Sequence, residues 1–119
     1  MSESILKARS YEFALREIKV YQHLIRDHRE YVLSKQVLRS GTSVGANIEE
    51  ARQAQSKLDF IHKLSIAQKE SFETHYWIRL LRDSAMLTPK QAESLLEDCV
   101  EIQKMITASI KTAKRNLAK

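Results

Sequence analysis

The sequence predicts an all-α protein, an antiparallel up-down-up-down four-helix bundle, on three observations. Only two glycines and one proline occur in 119 residues, too few turn formers for a sheet-rich chain. Apolar residues recur in alternating steps of four and three, the spacing of a helix face. Three capping signals, Asp27 to Glu30, Ser56 to Asp59 and Thr88 to Gln91, divide the chain into four long segments. The helices are therefore expected at about 7–26, 28–55, 57–86 and 89–117, in a single domain, 1–119. Short turns between long helices require each helix to run antiparallel to the one before.

The first helix carries two apolar stripes. Tyr11, Ala14, Leu15, Ile18, Gln22 and Ile25 form the larger, and Phe13, Val20 and Leu24 lie on nearly the opposite side. One stripe is enough for a bundle helix. The larger is read as the core face and the smaller as an interface between subunits. Scattered apolar side chains are ordinary on a surface, but three aligned over three turns mark an interaction patch.

In the second helix the seam is Leu33, Val37, Ser40, Val44, Asn47, Ala51 and Ala54. Gly41 and Gly45, the only glycines, lie among Ser40, Thr42, Ser43 and Ala46. A glycine inside a helix costs roughly 1 kcal/mol relative to alanine, so the pair implies another backbone in close approach. Asn47 at a seam position sets register or oligomeric state, unless its amide simply faces water. Glu50, one turn on, is likewise read as structural.

Phe60, Leu64, Ala67, Ser71, Thr74, Ile78, Leu81 and Ala85 form the seam of the third helix. Ile66, Trp77 and Leu80 fall off it, beside Glu70 and Glu73, and are a second candidate oligomer surface. The fourth helix, opened by Thr88-Pro89, repeats the spacing through Leu95, Cys99, Ile102, Ile106, Ser109 and Ala113, widened by Leu96, Val100 and Ile110.

Little in the sequence points to chemistry. Of His23, His28, His62 and His75, only His62 has a carboxylate three residues before it, Asp59, and no second such motif completes a di-iron set. No metal, cofactor or catalytic residue is expected, and no glycine-rich phosphate loop is present. Cys99 reads as a small buried hydrophobe. No run approaches the roughly 18 apolar residues of a membrane span. The charged N-terminus lacks the apolar core of a signal peptide, and a lone cysteine suits a reducing compartment. A cytoplasmic location without membrane contact is expected.

Charge is the informative feature. Residues 1–103 carry fifteen basic and fifteen acidic side chains, so the net +5 lies in Lys104, Lys111, Lys114, Arg115 and Lys119. These lysines complement the helix dipole, and in an oligomer they would form a cationic surface for phosphate backbones. No aromatic residue lies between them, so the segment alone offers no stacking platform. Arg16 and Lys19, flanked by Arg9 and Arg26 along the first helix, are the alternative contacts.

The stretch Ser43–Leu81, SVGANIEEARQAQSKLDFIHKLSIAQKESFETHYWIRLL, resembles the four-helix-bundle family encoded in intervening sequences of bacterial 23S ribosomal RNA genes, also labelled S23 ribosomal proteins. The likeness rests on Asn47-Ile48, Glu50, Ser56-Lys57, Asp59-Phe60, Ile66-Ala67 and Glu73. The resemblance implies a helical bundle assembled as a homopentamer. It also implies RNA or DNA as a partner, since a relative is the basic accessory protein of diversity-generating retroelements. The expectation is a non-enzymatic, RNA-associated or accessory module; the other reading is a protein–protein scaffold that never touches nucleic acid.

Overall fold

The computed structural model describes residues 2–118, with side chains from Ile5 to Ala118. Four helices account for nearly all of them: α1 Ser2–His28, α2 Leu33–Arg52, α3 Lys57–Asp83 and α4 Pro89–Ala118. They form a rod 52 × 22 × 19 Å, and none is long and apolar enough to cross a membrane. Each helix packs on the next and α1 closes on α4, while the backbones of the diagonal pairs stay farther apart.

Pairing between helices shows the antiparallel register, because as one residue number rises the other falls. Lys7 meets Glu49 and Glu17 meets Gly41 across α1 and α2. Arg39 meets Glu70 and Glu50 meets Lys63 across α2 and α3. Gln68 meets Thr107 and Ser71 meets Gln103 across α3 and α4. Arg16 meets Asp98 across α1 and α4, and His23 reaches Met86 just before α4.

Two of the three expected caps are present. Ser56 Oγ accepts from the Asp59 N–H at 3.0 Å. Thr88 and Gln91 form a complete capping box, with reciprocal bonds of 2.9 and 3.1 Å. The third differs. Asp27 lies inside α1 and pairs with His23 and Arg26, and α2 begins at Leu33. Its first N–H groups are met by Glu30, whose carboxylate accepts from Val32 and Ser34. Chain reversal after α1 and α3 uses a left-handed residue, Arg29 (φ 50°) and Ala85 (φ 64°), a common helix terminus.

Most of the α3 seam is as expected: Leu64, Ala67, Ser71, Thr74, Ile78 and Leu81 are buried, but Phe60 is half-buried and Ala85 lies exposed beyond the helix end, in the left-handed turn. In α2, Ile48 rather than Asn47 enters the core. The two stripes of α1 are exchanged. Phe13, Val20 and Leu24, expected between subunits, are 1%, 7% and 0% exposed in this chain's own core. Tyr11, Leu15 and Ile18, expected inside, are 65%, 48% and 37% exposed. The reason lies in the full seam, Leu6, Ser10, Phe13, Glu17, Val20 and Leu24, all buried, which keeps the same four-three spacing as α3. Two of its members are polar, which disguises it.

Close packing of α1 on α2 explains the glycines. A Cβ on Gly41 would stand 2.9 Å from the Cβ of Glu17 and closer still to its Cγ, and one on Gly45 would stand 3.3 Å from the Ser10 carbonyl oxygen. The space that Gly41 leaves is filled by Glu17. Neither carboxyl oxygen of this side chain has a hydrogen-bond partner within the described residues. Burial pushes its pKa up to about 8, against a smaller opposing effect of Arg16, so the group is largely neutral at pH 7.

Gly41→Ala is expected to lower stability by about 1–3 kcal/mol, because overpacking here outweighs the propensity gain of roughly 1 kcal/mol. Gly45→Ala should cost less. Urea midpoints decide this, and a Gly41→Ala protein more stable than the parent would contradict the close approach.

Glu17 makes stability depend on pH. Its folded pKa of about 8 lies above the ordinary 4.5. The unfolded chain therefore loses this proton first, and stability falls from about pH 4.5 until pH passes 8. Glu17→Gln should remove that slope, and Glu17→Leu should stabilise the protein by about 2–4 kcal/mol at pH 9. Equal slopes for the parent and Glu17→Gln in unfolding between pH 5 and 9 would refute the assignment.

Candidate nucleic-acid interface

Because the α4 seam (Ala92, Leu95, Cys99, Ile102, Ile106, Ile110) turns inward, Lys104, Lys111, Lys114 and Arg115 are left exposed. None of the four forms an ion pair among the described residues. Lys119 lies outside the described residues.

Six of the fifteen other lysines and arginines are matched. Lys7, Arg16, Arg26, Arg39, Lys63 and Arg82 each face a carboxylate. Arg16 binds Asp98 and donates to both oxygens of Ser94, which ties α1 to α4 and balances its charge. Lys19 is exposed beside a groove of about 280 Å³ that also includes His23 and Gln91. On α1, Lys19 and the flanking Arg9 are thus unmatched among the described residues, whereas the C-terminal half of α4 offers four unmatched cations with no acidic residue among them.

Sequence reasoning missed what stands opposite that cationic end. Gln68 donates to Thr107 Oγ1 at 2.6 Å, and Cys99 and Gln103 both donate to the Ser71 carbonyl, zipping α3 to α4. Outside this seam runs an open groove of about 410 Å³, lined among others by Phe72, Val100, Lys104 and Lys111. Phe72 is 57% exposed and Tyr76, one turn along α3, 48%. Arg79 lies 5.7 Å from the centre of the Tyr76 ring, a cation–π contact. Its Nε donates to His75 Nδ1. Partial burial, with Arg79 and Arg82 nearby, lowers the His75 pKa, so the ring is neutral and able to accept. Proximity to the lysines in three dimensions brings in Phe72; proximity along the chain does not.

The remaining sequence candidates have structural settings. Arg39 bridges Glu70 and Glu73 across α2 and α3. The Trp77 indole N–H donates to Glu73 and, together with Arg39, holds the Glu73 carboxyl below its usual range against some desolvation. Trp77 and Ile66 are half-buried, and Leu80 is just exposed. Asn47 spans no helix pair, because its amide donates to Ser43 of its own helix. Glu50 is exposed and pairs with Lys63. The buried polar link of the core is instead Thr74 to Ser40 at 2.8 Å. Cys99 is fully buried, and its thiol is pushed up to about 12, first by burial, which makes it unreactive. Among the described residues no group of three His, Cys, Asp or Glu side chains converges as a metal site.

Fold and surface together define a small all-helical bundle with a cationic C-terminal half of α4. The model of the 23S rRNA-intervening sequence protein family matches residues 2–108, and the chain belongs to that family. It is similar to a protein of unknown function from the S23 ribosomal protein family of Bacteroides thetaiotaomicron VPI-5482, solved by crystallography at 1.70 Å. The two share 50% identity over 93% of this chain and 99% of the other, with a TM-score of 0.92. Among curated proteins none is significantly similar.

Proposed function

We propose that the protein is a non-enzymatic, cytoplasmic homo-oligomer, a pentamer as the resemblance implies, that associates with RNA. The observation that carries this reading is the run of exposed, unpaired cations Lys104, Lys111, Lys114 and Arg115 along the C-terminal half of α4, where no acidic residue follows Glu101, in a chain whose first 103 residues balance in charge. Oligomerisation multiplies such charge and strengthens its pull on a polyanion. Membership of a family named for 23S rRNA intervening sequences agrees with RNA as the polyanion. The second reading, a scaffold for another protein, is favoured by the exposed apolar stripe Tyr11, Leu15 and Ile18. In the first reading that stripe is the contact between subunits.

Leu15→Asp is expected to reduce the mass seen by light scattering to that of a monomer while helical circular dichroism persists. Phe13→Asp, at a core position, should abolish folding instead. A Leu15→Asp protein of unchanged mass would place the subunit contact elsewhere.

RNA affinity should fall steeply with salt through counterion release. Reversing the charge of Lys104, Lys111, Lys114 and Arg115 should weaken binding at least tenfold at low salt and flatten the salt slope by about 0.7–0.9 for each phosphate no longer neutralised. Lys19→Glu should have a smaller effect. Undiminished binding by the α4 variant would move the site, and no binding by the parent protein would favour the scaffold.

A further inference from the structure

We infer that the groove between α3 and α4 is a stacking site for single-stranded RNA, with Phe72 as the base platform and Lys104 and Lys111 as phosphate contacts. The inference rests on the nucleic-acid reading and adds to it the form of the ligand. Phe72 exposes 57% of its surface on the rim of a groove shared with both lysines. Those lysines are two helical turns apart on α4, ~10.5 Å by helix rise. Tyr76 continues the aromatic line on the same face of α3, with Arg79 as a further cation beside its ring.

Charge complementarity selects the occupant. After Glu101, α4 has no acidic residue, and Glu70 and Glu73 of α3 are engaged by Arg39. A protein partner is a poorer fit, because lysine is depleted at the centres of protein interfaces and here two lysines line the groove itself. A duplex is a poorer fit as well: its base faces are stacked internally, so it offers phosphates but nothing for an exposed ring. A single strand presents both. In the α1 stripe, whose exposed members are Tyr11, Leu15 and Ile18, the lysine that shares a groove with Tyr11 is Lys7, which is paired with Glu49.

The test measures binding of a fluorescein-labelled ten-nucleotide single-stranded RNA, and of the same strand in a duplex, by anisotropy at low salt. Phe72→Ala is expected to weaken single-strand binding about tenfold with the salt slope unchanged, and Phe72→Trp to restore it. Lys104→Glu with Lys111→Glu should weaken binding of both forms and reduce the slope. Phe72 is exposed, so circular dichroism and mass should match the parent in the Phe72 variants. If Phe72→Ala binds like the parent while the lysine variant is impaired, the stacking site is overturned and the wider reading stands. Equal Phe72 sensitivity for the duplex, or a change in oligomer mass in Phe72→Ala, also overturns it. Absence of binding by the parent overturns both.

Discussion

The close approach of α1 to α2 at Gly41 and Gly45 is the constraint on which the rest of the bundle depends. At Gly45 an added methyl would press on the Ser10 carbonyl, and at Gly41 it would collide with Glu17. That proximity fixes which side of α1 faces inward. Once Ser10 and Glu17 oppose the glycines, the four-three spacing carries Leu6, Phe13, Val20 and Leu24 into the core with them. Tyr11, Leu15 and Ile18 are thereby turned to the outside. Two glycines in one helix set the exposed chemistry of its neighbour.

Glu17 is the counterpart of that packing. An ionised carboxylate without partners is too unfavourable in a bundle interior, so the group holds its proton. Its aliphatic stem fills the space where Gly41 has no side chain, which makes it a packing element as well as an acid. The same burial, with Glu17 and Asp98 nearby, raises the Cys99 thiol.

The helix count, the α3 seam from Leu64 to Leu81, two of the caps and the close-packing role of the glycines were legible in the sequence because each rests on local spacing or on residue chemistry. The orientation of α1 was not. Its outer stripe has more apolar members than its true seam, because Ser10 and Glu17 break the seam's hydrophobic signal. The spacing itself was the available clue, since Leu6, Ser10, Phe13, Glu17, Val20 and Leu24 match the steps of Leu64 to Leu81 in α3. Asn47 failed for a related reason: its amide satisfies its own helix and Ile48 turns inward in its place. The start of α2 failed because Glu30, three residues after the expected cap, supplies the acceptor.

Charge was legible as an amount and only partly as an arrangement. The excess along the C-terminal half of α4 follows from counting, whereas the use of other cations as ties between helices does not. Arg16 closes α1 onto α4, Arg39 joins Glu70 and Glu73, and Lys63 meets Glu50. Each of these pairs keeps one partner partly in solvent and contributes modestly to stability, yet each cancels a cation that would otherwise compete for a polyanion. The fold then places Phe72, more than thirty residues from Lys104 in the chain, on the same groove as that uncancelled charge. Antiparallel packing of α3 on α4 brings the exposed ring of one helix to the lysines of the other.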